Sequence, residues 1–129
     1  MEILQKALLC AIKDTLNVSM VEDKIPLKRA FVSKIRLDSR TFYIATNKAL
    51  LLKFALDFLN EKNPSNDTLI DISKEMANIA IGKAKVLYEE SGIVLKLGIP
   101  EFIGNKIINN YNKCIGYKSQ NMRCSIYEI

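Results

Sequence analysis

Between positions 68 and 90 the chain contains no proline, and Leu69, Ile72, Met76, Ile79, Ala80, Ala84 and Leu87 recur at helical spacing. A helix turns once every 3.6 residues, so side chains three and four apart stack along one face. An apolar face of this length has to be buried. The same segment carries a second stripe, Asp71, Glu75, Asn78 and Gly82, at steps of four, three and four. It lies opposite the apolar stripe and is expected to face outward.

Asn and Gly disfavour a helix interior by roughly 0.6 and 1 kcal/mol relative to Ala. Their presence in mid-helix needs a reason other than helix formation. Read along the stripe, Glu75 offers an acceptor, Asn78 an amide that donates and accepts, and Gly82 bare backbone that another molecule can approach closely. This is a docking and positioning surface. Structural alternatives stand beside it. Thr68 and Asp71 also spell a capping box with an acid near the helix N-terminus. Glu75 can serve as an exposed helix former paired with a lysine, and Gly82 as a point of close helix packing.

With 129 residues, 49% of them hydrophobic, the chain suits a single domain spanning residues 1–129 around one core. No apolar run approaches the roughly 20 residues needed to cross a bilayer. The N-terminal residues lack the basic start, apolar stretch and cleavage site of a secretory signal, and read as mature sequence. Three scattered cysteines, Cys10, Cys114 and Cys124, have no metal-ligand spacing. Their odd number argues against a disulfide framework and places the chain in the cytoplasm. Cys114 and Cys124 either meet across a terminal hairpin or remain reduced thiols.

The chain has no histidine. This excludes Ser-His and Cys-His nucleophilic catalysis and removes the commonest zinc ligand. No resident metal or cofactor is expected, and any chemistry must use carboxylates, amides, lysines or a metal brought by the substrate. A net charge of +5 biases the surface toward anionic partners. The excess is uneven: Lys24, Lys28, Arg29, Lys34, Arg36 and Arg40 stand in one region against Asp38 alone. That region reads as the solvated face of a hairpin or as a surface for an acidic protein or nucleic acid. Nucleic acid is disfavoured, because aromatic stacking residues are sparse there and no nucleic-acid signature is present.

The remaining pattern gives the fold class. An amphipathic helix ends near Asn17, and a polar turn follows at residues 21–24. Residues 29–37 and 41–46 form a hairpin around Asp38-Ser39-Arg40. Thr46 or Asn47 caps a second helix with Leu51, Phe54, Ala55, Phe58 and Leu59 on its face. Residues 60–67 are a polar connector, and Ser91-Gly92 ends the long helix. Residues 93–97 and 101–103 read as extended chain, residues 106–111 as irregular or helical, and residues 113–118 and 122–129 as a closing hairpin around Gln120-Asn121. This order predicts an α+β domain, a mostly antiparallel sheet with helices on one face.

The run Asp71-Ile-Ser-Lys-Glu75-Met-Ala-Asn78, then Gly82, and later Leu97-Gly98-Ile99-Pro100-Glu101-Phe102-Ile103-Gly104, resembles the chemotaxis phosphatases CheX, CheC and FliY. The single Glu-Asn pair and the Pro-x-x-Ile-Gly tail are similar to CheX in particular. The resemblance implies a CheX/CheC-like fold and removal of phosphate from the aspartyl-phosphate of a CheY-type response regulator. It implies that Asn78 orients the attacking water and that Glu75 docks to the regulator's active-site lysine. Asp71, Gly82 and Pro100 then belong to the substrate-binding surface. Mg²⁺ is expected on the phosphorylated regulator and none on this chain. A homodimer through sheet edges is also implied, for which the terminal residues 125–129 offer an apolar strand. The alternative is a catalytically inactive adaptor that binds a receiver domain or a flagellar motor component.

Overall fold

The computed structural model describes residues 1–25 and 27–129. Three helices and six strands follow in the order α1 (Glu2–Leu16), β1 (Val21–Asp23), β2 (Ala30–Leu37), β3 (Arg40–Thr46), α2 (Lys48–Leu59), α3 (Asn66–Glu90), β4 (Glu101–Lys106), β5 (Lys113–Ser119) and β6 (Met122–Glu128). The strands form one sheet in the order β1-β5-β6-β3-β2-β4, and every strand pair is antiparallel. The predicted α+β class is therefore the observed one.

Strand side chains alternate between two faces, and the burial pattern separates them cleanly. Phe31, Ile35 and Leu37 of β2, Phe42 and Ile44 of β3, and Met122, Cys124 and Ile126 of β6 join residues from all three helices in the main core. The alternate positions Ala30, Val32, Ala45 and Tyr127 form a small second cluster with Leu27, backed by Tyr43, Ile103 and Ile108. All three helices thus cover one face. The other face carries this smaller group of side chains, with the Tyr111 ring set edge-on against Tyr127.

Local chemistry sets the helix ends. Asn17 takes a left-handed conformation after α1, with φ 54°. Asn47, one of the two predicted caps, accepts from the Leu50 N–H at 3.1 Å and from the Arg123 N–H at 3.1 Å. Its amide nitrogen donates to the Asn121 carbonyl at 2.8 Å, so one side chain starts α2 and fastens the β5–β6 turn. At the end of α3, the Gly92 N–H reaches the Glu89 carbonyl and the Ile93 N–H reaches that of Tyr88, both a Schellman pattern. Gly92 supplies the positive φ of 80° that this ending requires.

Two expectations are corrected. Residues 21–24, read as a polar turn, contain β1, because Val21, Glu22 and Asp23 pair with Lys118, Tyr117 and Gly116. The pairing is anchored by Asp23, which accepts from the Ile25 N–H at 3.1 Å and from Arg123 at 2.9 Å. Residues 93–97, read as extended chain, lie outside the named strands, and Leu97 bridges to Leu37. Residues 125–129 are not a free edge: β6 lies between β5 and β3. The free edges belong to β1 and β4, so the terminal strand cannot join two copies through its backbone. Cys114 and Cys124 do not meet either. Cys114 pairs with Tyr127 and Tyr117 with Cys124, and all three thiols are free.

The Asp23 carboxyl sits below the usual carboxylate range because the Ile25 N–H and Arg123 favour its charged form against the cost of burial. Its contribution to stability is then present above the ordinary aspartate pKa, about 3.9, and is lost as pH falls through the lower folded value. Asp23→Asn should lower the melting temperature at pH 7 and flatten the decline on acidification. Thermal melts between pH 7 and pH 3 measure both.

Candidate functional site

The N-cap of α3 is Ser65, whose hydroxyl accepts from the Thr68 N–H at 3.1 Å and lies 3.0 Å from the Thr68 hydroxyl. The helix therefore starts at Asn66, two residues before the sequence pattern placed it. Thr68 is inside the first turn and cannot form a capping box with Asp71. Asp71 is exposed in the second turn, 3.8 Å from Lys74.

The helix then presents two chemically distinct faces. Leu69, Ile72, Met76, Ala80 and Ala84 are buried, joined by Ser73, Ala77, Ile81 and Tyr88. Ile79 and Leu87 flank them at partial burial. Asp71, Glu75, Asn78 and Gly82 are all exposed. Small residues carry much of the buried face, so α1 approaches closely, and Lys83 reaches the Asp14 carboxylate at 2.7 Å. This packing fixes the rotation of α3 about its own axis. The stripe is aimed by the core on the opposite side.

Gly82 lies on the exposed face of the helix. An added β-carbon there would meet no atom within 4 Å. Close helix packing, the structural alternative, is therefore overturned, and the backbone at Gly82 is open to a partner. Glu75 makes no ion pair with a lysine, and Asn78 makes no side-chain hydrogen bond, among the described residues. Their polar atoms are free for an incoming molecule.

Pro100 lies elsewhere, on the outer edge of β2. The Gly98 N–H donates to the Arg36 carbonyl at 3.1 Å, and Glu101 begins β4 opposite Lys34. Residues 98–100 arch away between these two attachments, and Pro100 needs no donor there. One step further, the register shifts between Val32 and Ser33, leaving Ile103 as the extra residue of a bulge, with Gly104 at φ 134°. The Pro-x-x-Ile-Gly tail is thus a device that shapes the sheet edge. No hydrogen bond or ion pair among the described residues joins Pro100 to the stripe on α3.

The basic region divides. Arg29 donates to the Asn105 carbonyl at 2.7 Å. Arg40 pairs with Glu128 at 3.1 Å and lies over the Phe42 ring, 5.0 Å from its centroid. Lys34 and Arg36 make no ion pair among the described residues. Among the described residues, no three Cys, Asp or Glu side chains come together as a metal site. No helix among them is long and apolar enough to cross a membrane.

A family model described as "Chemotaxis phosphatase CheX" matches residues 36–117, more than half of the chain. The chain belongs to the CheX family. Comparison with curated proteins finds no match. Solved structures are similar over nearly the whole length. CheX from Vibrio vulnificus is 21% identical with a TM-score of 0.81, covering 99% of this chain and 93% of that one. A chemotactic CheC-like protein from Shewanella oneidensis is 18% identical with a TM-score of 0.77, covering 99% and 95%. A CheX–CheY–BeF₃–Mg²⁺ complex from Borrelia burgdorferi includes a chain 15% identical with a TM-score of 0.68, covering 98% and 96%. At these identities the likeness establishes the CheX/CheC-like fold.

The open space at Gly82 gives a direct test of how this helix is built. Gly82→Ala should stabilise the free protein by about 1 kcal/mol, the helix-propensity difference, since the methyl displaces nothing. Ser65→Ala should cost about 1 kcal/mol by removing the N-cap. Urea titrations of the two variants read both values.

Proposed function

We propose that the chain is a phosphatase for the aspartyl-phosphate of a CheY-type response regulator, with Glu75 and Asn78 as its catalytic residues. Membership of the chemotaxis phosphatase family supports the reaction class. The observation that carries the assignment is the exposure of Glu75, Asn78 and Gly82 along one unobstructed face of α3. Two of these residues weaken the helix and neither is used by the core. Their placement is explained by a molecule that binds there.

Hydrolysis of an aspartyl-phosphate requires a water oxygen to attack phosphorus in line with the departing carboxylate. The P–O bond to the aspartate breaks, and phosphate leaves. Phosphoryl transfer of this kind depends mainly on positioning and electrostatics. The Asn78 amide orients the water through its oxygen or nitrogen without taking a proton. Glu75, one turn earlier, forms a charge-assisted contact with the regulator's active-site lysine and fixes the approach of the helix. Gly82 lets the partner's backbone close on α3, Asp71 extends the contact at the N-terminal end, and Pro100 shapes the neighbouring edge. Mg²⁺ belongs to the phosphorylated regulator as part of the substrate; the relative from Borrelia burgdorferi was captured with CheY, BeF₃ and Mg²⁺. The reaction belongs in the cytoplasm, with the regulator.

Asn78→Ala should keep the fold and most of the affinity for a phosphorylated regulator, but lower the dephosphorylation rate by roughly 10²-fold, the effect of lost positioning. Glu75→Ala should weaken binding as well as rate. Gly82→Ala should weaken binding despite its more stable helix. Phosphate release under single-turnover conditions, with affinity measured separately, distinguishes these effects. If Glu75→Ala and Asn78→Ala both act as fast as the parent, the assignment fails. A parent protein that binds the phosphorylated regulator without shortening its lifetime would instead be an adaptor.

A further inference from the structure

Val86 follows Gly82 by four residues and carries the outward stripe of α3 one turn further. It is 52% exposed, and among the described residues no other large apolar side chain of α3 is exposed. Helix propensity does not account for it, because a β-branched residue ranks below alanine there. Exposed apolar side chains also occur on α2, at Leu56, Phe58 and Leu59. Val86 differs from them in lying on the surface assigned to the regulator.

Val86 also completes a hole. On a helix, residues i, i+3, i+4 and i+7 enclose the space into which one side chain of a packing partner fits. Ile79, Gly82, Lys83 and Val86 are such a set. Two of its four corners are open. Gly82 has no side chain, and an added β-carbon there would meet no atom within 4 Å. Lys83 is drawn toward α1, where its ammonium lies 2.7 Å from the Asp14 carboxylate. Ile79 and Val86 form the other two corners, and Ile79 is held by its packing against the main core. These two lie about 10 Å apart along the helix axis, which leaves room for a single side chain between them. The hole is thus apolar at both ends, and the one charge of the set is engaged elsewhere.

We propose that this hole receives an apolar side chain of the CheY-type regulator, and that Val86 is the residue that selects for it. The inference rests on the reading of Glu75 and Asn78 as the phosphatase site and adds the chemistry of the partner at the far end of the same stripe. Where the regulator closes on Gly82, its apolar side chain is gripped between Ile79 and Val86. A polar or charged side chain in that place would lose its water without finding a partner. Regulators that carry one there are rejected. Val86 is about 12 Å along the helix from Asn78, too far to touch the reacting phosphoryl group. It governs affinity and leaves the chemistry to Asn78.

The test uses the full chain and a CheY-type regulator of the same cell, loaded with BeF₃ and Mg²⁺ for affinity and phosphorylated for turnover. Val86→Ala should raise the dissociation constant about 10-fold, through the loss of two buried methyl groups. Val86→Thr, which keeps the shape but places a hydroxyl in the hole, should also weaken binding. Val86→Asp should raise the dissociation constant at least about 30-fold. Single-turnover rates at saturating regulator should stay within about two-fold of the parent, as for a residue that contributes binding alone. Melting temperatures should not fall, because this side chain is outside the core. A regulator bound equally well by the parent and by Val86→Asp overturns the hole and leaves the phosphatase reading, tested by Asn78→Ala, in place. Unchanged affinity with a lost maximal rate overturns it too. A parent with no affinity for the regulator overturns the hole and the phosphatase reading together.

Discussion

The burial of one face of α3 is the constraint on which the rest of the structure depends. Met76, Ala77, Ala80 and Ala84 have no exposed surface, and they join strand residues such as Phe42 and Ile44 in a single core. Removing such side chains from water is worth about 1.5–3 kcal/mol for each large one. That gain holds a helix of 25 residues in one rotational setting. With 3.6 residues per turn, the setting of the buried face determines the direction of every other residue. The stripe from Asp71 to Gly82 is positioned by atoms on the opposite, buried side of the helix.

This arrangement also explains how unfavourable residues are tolerated. Asn78 and Gly82 together cost the helix roughly 1.6 kcal/mol relative to alanine. A short isolated helix would not survive this, but α3 is supported by the core, capped by Ser65 and closed at its end by Gly92. A site on a packed helix holds its groups more firmly than one on a loop. Within α3, the mid-helix Asn and Gly stand where the helix faces outward and the core is unaffected.

The sheet contributes by closing its own margins. β1 is three residues long and is held by the Asp23–Arg123 pair, and Arg123 also donates to the Ile25 carbonyl. At the opposite margin, residues 97–106 follow β2 twice, first through Leu97 and Gly98 and then through β4. Pro100 sits in the arch between these attachments, and the bulge at Ile103 interrupts the margin again. Short strands, proline and bulges all limit unwanted pairing at an edge.

Much of this was legible in the sequence because periodicity is a local property. The two faces of α3, the hairpin turn at Asp38, the Asn47 cap, the glycine ending at Gly92 and the α+β class follow from spacing and residue type within a few positions. Glu75, Asn78 and Gly82 stood out because their poor fit to a core or to helix propensity is visible without coordinates. What the sequence could not supply was long-range partnership. β1 is a strand only because β5 lies beside it and Arg123, 100 positions away, holds Asp23. Residues 125–129 look like an edge from their apolar character, yet strand order places them inside the sheet. Capping passed from Thr68 to Ser65 because two hydroxyls compete within one turn and hydrogen-bond geometry decides between them. The exposed side of α2 was hidden by its apolar sequence, which reads the same whether a neighbour covers it or not. Local chemistry determined which elements form and where they end; packing between distant segments decided which of their faces remain open.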